Sequence, residues 1–194
     1  MKDNKNNKKD GKKLAVVFPG VGYHVDKPLL YYSKKIALQH GFEVLDVPYG
    51  GFEQGMRGDA AKMRRAFESA LAQSEDILKS VKFEDYDTVL LLSKSVGTAV
   101  AAAYAAKRGI QTKNIFYTPV EESFSVMKDD GIVFHGTADP WIPEEVFERE
   151  IQRAGYPCER IEGGNHSLET GDVARDIGNL QRIMRISEEY IATL

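Results

Sequence analysis

The chain has one cysteine, Cys158, and one tryptophan, Trp141, in 194 residues. No apolar run approaches the roughly 18 residues that span a bilayer. A single thiol closes no internal disulfide, so a buried core must hold the chain together. The first thirty residues offer only Leu14–Phe18 as an apolar stretch, shorter than a secretory leader requires, and a cytoplasmic protein is expected. Charge of one sign is also missing. Lys and Arg number 26 against 29 Asp and Glu, giving a net charge of −3 with both signs mixed along the chain. That balance excludes a basic stripe for a nucleic-acid backbone and argues against membrane partners. No clustered His, Cys or carboxylate spacing suggests a metal, and no Walker-type phosphate loop occurs. Small-molecule chemistry fits better, with no cofactor expected; oligomeric state is not readable.

What is present suits one compact domain. Residues 1–13 are rich in Lys and Asn with no apolar residue after Met1, and are expected to be a mobile tail. Residues 14–194 would form the domain. Apolar runs at 14–18, 43–47, 88–92, 114–117, 132–134 and 158–161 read as strands. Between them lie helical patterns at 28–40, 59–79, 98–108 and 143–154, and a last helix carries Val173, Ile177, Leu180, Met184, Ser187 and Ile191 on one face. On the second helix the expected stripe is Met63, Phe67, Ala70, Leu71, Ser74 and Leu78. This β-α alternation predicts an α/β fold: a single-domain three-layer α/β/α sandwich on a mostly parallel sheet of about six strands.

Three loops carry the chemistry. Ser93-Lys94-Ser95-Val96-Gly97 joins an apolar strand to an alanine-rich helix, where a sharp turn strains the middle residue and exposes its hydroxyl. His135-Gly136-Thr137-Ala138-Asp139-Pro140-Trp141-Ile142-Pro143 places a carboxylate after a late strand. Glu162-Gly163-Gly164-Asn165-His166-Ser167 places a histidine before the last helix. In this order the chain resembles the α/β-hydrolase superfamily over about residues 13 to 193, in particular its small lidless dienelactone-hydrolase-like and esterase-like members. Two departures stand out. Ser93 replaces the first elbow glycine, and Pro19-Gly20 stands where many members carry His-Gly.

The resemblance implies a hydrolase core without its first two strands. It also implies Ser95 as nucleophile, His166 as base and Asp139 as the acid orienting it. The oxyanion donors would be the backbone N–H groups of Val96 and Val21. His24, Tyr49 and Trp141 are candidates to touch substrate, Tyr49 and Trp141 having loop packing as the alternative. Lys94 reads as solvated, His135 as a scaffold hydrogen-bonding residue and Cys158 as buried in a strand. The expected activity is cleavage of a carboxylic ester or thioester. Two rivals remain: an NAD-type dinucleotide-binding module built on Gly20-Val21-Gly22 with Asp46 as the ribose acid, and a hydrolase fold that binds without turnover. Against the former, Val25 stands where a third glycine belongs and the first helix begins late, near Pro28.

Overall fold

In a computed structural model, which describes residues 11–53 and 55–194, six apolar runs pair into one sheet. They are β1 (Lys13–Phe18), β2 (Phe42–Asp46), β3 (Thr88–Lys94), β4 (Lys113–Tyr117), β5 (Gly131–Gly136) and β6 (Cys158–Ile161). Every pairing is parallel, in the order β2-β1-β3-β4-β5-β6. The connections contain α1 (Pro28–Gln39), α2 (Ala60–Ile77), α3 (Val96–Arg108) and α4 (Glu144–Ala154), and α5 (Val173–Ile191) follows β6. None of the described helices is long and apolar enough to cross a membrane.

A parallel sheet covered on both faces needs strands apolar on both faces, which is why they read as continuous runs. Side-chain alternation divides them. Ala15, Val17, Leu90, Leu92, Ile115 and Tyr117 pack with Leu30 and Ile36 of α1 and Ile183 and Ile191 of α5. Leu14, Val16, Phe18, Val89 and Leu91 pack with Ala70 of α2 and Val100, Ala101 and Tyr104 of α3. Phe116 and Val133 meet Phe147 and Ile151 of α4 in a third cluster. The alanines of α3 give that helix a thin inner face, with Ala99, Ala101, Ala102 and Ala105 all buried.

Three expectations are corrected here. Of the expected tail, residues 1–10 lie outside the described residues, whereas Lys13 opens β1 and Lys12 is held from both sides. Its N–H donates to the Asp87 carboxylate at 2.9 Å, and its carbonyl accepts from the Asp87 N–H at 2.8 Å. Backbone pairing, which composition does not register, anchors that stretch. On α5 the stripe begins too early: Val173 and Ile177 are 73% and 65% exposed, and the buried residues are Ile183, Ser187 and Ile191. The first turns of that helix border a surface groove with Tyr23 and Leu168. On α2 the expected Ala70, Ser74 and, just past its end, Leu78 are buried, joined by Ala66, while Met63 and Phe67 are only half-buried. Ser74 satisfies its hydroxyl by donating to the Ala70 carbonyl at 2.7 Å.

The strand order turns back at β1, so the connections after β1 and β3 leave in opposite directions along the sheet. That is where an open parallel sheet forms a crevice at its carboxyl ends. The loops after β1, β3, β5 and β6 converge there.

Candidate active site

Ser95 is the junction between β3 and α3. Its backbone sits at φ 57°, ψ −130°, a region that costs a non-glycine residue of order 1–3 kcal/mol. The surroundings hold it there. The Ser95 N–H donates to the Tyr117 carbonyl at 2.9 Å, and its own carbonyl accepts from the Thr98 N–H at 2.9 Å and the Thr98 hydroxyl at 2.6 Å. The turn also brings α3 hard against the end of β1: a Cβ on Gly97 would strike the carbonyl oxygens of Phe18 and Pro19. That contact explains the second elbow glycine. Ser93 takes the place of the first because it is fully buried with an acceptor in reach, its hydroxyl donating to the Ile115 carbonyl of β4 at 3.3 Å.

The structure brings Ser95, His166 and Asp139 into one hydrogen-bonded series. Ser95 Oγ lies 2.7 Å from His166 Nε2, and His166 Nδ1 lies 2.7 Å from Asp139 Oδ2. The other carboxylate oxygen, Oδ1, accepts from the Trp141 N–H at 2.9 Å. Asp139 therefore forms the Asp-Pro turn and holds the imidazole at the same time, one oxygen for each. Its side chain is fully buried. The His166 loop is fastened by Thr118, a residue at φ 42°, whose hydroxyl donates to the His166 carbonyl at 3.1 Å. Burial pushes the imidazole pKa below its usual value; the hydrogen bond to Asp139 opposes this and the nearby Lys94 charge adds to it.

Trp141 stacks on the His166 ring, with centroids 5.1 Å apart and planes at 26°. Of the two readings of Tyr49, substrate contact and loop packing, the structure shows the packing: the side chain is buried. Its hydroxyl donates to the Pro19 carbonyl at 2.5 Å, so it braces the loop after β1 from behind. An aromatic with a polar tip is drawn inward when a backbone acceptor lies within reach. His24 is not brought to the series: its side chain is 66% exposed, and Nδ1 accepts from the Asp26 N–H at 3.3 Å. Val96 is the first residue of α3, and Val21 lies in the turn closed between Gly20 and Tyr23. That turn lies against Ser95, since a Cβ on Gly20 would stand 3.1 Å from Ser95 Cβ. Neither the Val21 nor the Val96 N–H has an acceptor among the described residues.

Lys94 corrects the sequence reading most. It is 1% exposed, with Nζ 5.1 Å over the Tyr23 ring and no carboxylate or carbonyl partner among the described residues. Strand alternation is the cause, because Leu90, Leu92 and Lys94 point to the same covered face. Burial brings the ammonium pKa down to about 7, with Asp139 pulling it up and Lys27 pushing it further down. His135 is fully buried, stacked on Phe147 at 3.5 Å, with Nε2 2.7 Å from Glu144 Oε2. Cys158 is half-buried, its thiol pushed up to about 12 by burial.

A dinucleotide site finds no support here. Helix α1 starts at Pro28, its Leu29 N–H is taken by the Tyr23 hydroxyl at 3.1 Å, and Asp46 is ion-paired to Lys34 at 2.9 Å. Among the described residues no group of His, Cys, Asp and Glu is arranged to hold a metal.

No protein-family model and no curated protein matches the sequence. Solved structures do. A candidate hydrolase of the α/β superfamily from Xanthomonas campestris pv. campestris superposes with a TM-score of 0.63 at 15% identity, covering 95% of this chain and 99% of that one. An alpha-beta serine hydrolase homologue from Coxiella burnetii gives 0.62 at 18% identity, covering 90% and 84%. A serine hydrolase without a lid from Xanthomonas campestris gives 0.56 at 18%, covering 90% and 81%. The fold is that of the α/β-hydrolases.

Proposed function

We propose that the protein is a serine hydrolase that cleaves a carboxylic ester or thioester through an acyl-enzyme on Ser95. The observation that carries this reading is the pair of 2.7 Å contacts that His166 makes, one to the nucleophile and one to the carboxylate. A serine hydroxyl is a weak nucleophile until a base takes its proton, and an imidazole accepts at Nε2 only if its proton is kept on Nδ1. Asp139 keeps it there.

In the proposed reaction Ser95 Oγ attacks the substrate carbonyl carbon as its proton passes to His166 Nε2. The carbonyl oxygen becomes an oxyanion received by the N–H groups of Val96 and Val21, which have no acceptor among the described residues. The imidazolium then protonates the leaving oxygen or sulfur, the C–O or C–S bond breaks, and the acyl group stays on Ser95. Water gives a proton to His166 as it attacks the acyl carbon; the C–Oγ bond then breaks, Ser95 Oγ takes that proton back from His166 Nε2, and the acid leaves. No cofactor is needed, and the partner is a small molecule.

A fluorophosphonate probe tests this directly. It should label the parent at Ser95 and leave Ser95→Ala unlabelled, and that variant should lose turnover of p-nitrophenyl acetate by up to about a millionfold. A folded parent that takes no label and turns over no ester would be a binding protein on a hydrolase fold.

A further inference from the structure

A groove of about 330 Å³ opens beside the nucleophile, walled by Ala60, Met63 and Phe67 of α2, Val96 and Ala99 of α3, and Val120 after β4. Val96 follows Ser95 directly and carries a proposed oxyanion donor, so one wall of the groove is the residue next to the nucleophile. None of its walls comes from the loops that carry Asp139, Trp141 and His166. That asymmetry sorts the substituents of a tetrahedral carbon bonded to Ser95 Oγ. The oxyanion faces the Val96 amide, and the leaving atom must face His166 Nε2 to be protonated. The remaining substituent is the acyl carbon chain, and the groove is on its side.

Two further observations describe that chain. Met63 and Phe67 stand at core-like spacing on α2 yet remain half-buried, leaving apolar surface that an apolar ligand would cover. At the rim, Arg64 on one lip and Glu122 on the other carry opposite charges, and neither is paired among the described residues. A charged terminus would meet one group of each sign and gain no net selection. At about 30 Å³ for each water-sized group, the space takes up to about ten methylene-sized groups, fewer because one side is open.

We infer, on the strength of the serine-hydrolase reading, that this groove binds the acyl chain of an uncharged aliphatic carboxylic ester or thioester of about six to eight carbons. The test is kcat/KM for p-nitrophenyl acetate, butyrate, hexanoate and octanoate, which share one leaving group. Full burial is worth up to about fourfold per methylene, and in a groove open on one side hexanoate should exceed acetate by at least about tenfold. Ala60→Trp and Ser125→Trp, both at exposed positions of the lining, should each lower the hexanoate-to-acetate ratio at least fivefold by filling the groove from opposite walls. Acetate turnover that depends on Ser95 but does not rise with chain length would overturn the acyl assignment and leave the hydrolase reading standing. So would a ratio unmoved in both variants, or a chain-length effect found only when the alcohol half is lengthened. Absence of both Ser95 labelling and ester turnover in the parent would remove the hydrolase reading and this assignment with it.

Discussion

Gly136 and Gly164 touch backbone to backbone: a Cβ on Gly136 would drive into the Gly164 carbonyl oxygen and its neighbour at Asn165. This contact joins the loop that carries Asp139 to the loop that carries His166. Three hydrogen bonds tie the same loops, from the Ala138 N–H to the Gly164 carbonyl at 2.9 Å, the Thr137 N–H to the Ile161 carbonyl at 3.1 Å, and the Gly163 N–H to the Thr137 hydroxyl at 2.8 Å. Gly136→Ala should force the loops apart, at a cost of about 1–3 kcal/mol typical of overpacking. Because Asp139 and His166 ride on opposite sides of the seam, ester turnover should fall as well. Chemical denaturation and turnover measured on one preparation would check this, and parental values for both would refute the coupling.

The proposed base sets the pH dependence. Only neutral His166 can accept the Ser95 proton, and its folded pKa is depressed, chiefly by burial. Activity should therefore be lost as pH falls through a value below the ordinary histidine pKa of about 6.5. A profile of kcat/KM against pH with its acid limb centred above 6.5 would contradict this.

Lys94 should reveal itself twice in the variant Lys94→Met. Its positive charge is one of the causes that depress the His166 pKa, so removing it should move the acid limb to higher pH. Stability should change too. A lysine whose folded pKa is about 7 against roughly 10.4 in the unfolded chain opposes folding at any pH below 10.4. That penalty grows as pH falls toward 7 and then levels off. Methionine lacks it, so the variant's stability advantage should be greatest below pH 7 and shrink toward pH 10. An advantage independent of pH over that range would show that the parent lysine is not held near neutrality.

How much of this was legible depends on what each residue's signal was. The six strands announce themselves because both of their faces are covered, and Pro28 and the elbow Gly97 mark where helices meet loops. Ser95, Asp139 and His166 are legible from loop wording and order. Lys94 was misread although its signal was available: it continues the Leu90, Leu92 alternation, yet a charged side chain at a strand end reads as solvated. Tyr49 could not be placed from sequence, because whether a loop aromatic turns outward or inward depends on an acceptor thirty residues away, the Pro19 carbonyl. Thr118 gave no signal at all; its left-handed backbone and its bond to the His166 loop exist only once β4 and β5 are paired. Helical periodicity marked the apolar face of α5 but not where the sheet beneath it ends, which left Val173 and Ile177 outside.

Asp139→Asn distinguishes the two jobs of one carboxylate. Asparagine keeps an oxygen that can go on accepting the Trp141 N–H, so the turn after β5 should survive and the melting temperature should change little. With its one oxygen on the Trp141 N–H, the amide presents its NH2 toward His166, a donor without the charge that stabilises an imidazolium. An N–H facing Nδ1 forces the ring proton onto Nε2, and the imidazole then has no lone pair for the Ser95 proton. Turnover should fall by up to about ten-thousandfold, as it does when a triad's tautomer is reversed. Fluorophosphonate labelling should slow in parallel, because it depends on the same activated hydroxyl. Ester turnover, labelling rate and thermal unfolding on matched samples decide the matter: near-parental turnover would assign Asp139 to the turn alone, and lost turnover with an unchanged melting temperature would assign it to the imidazole.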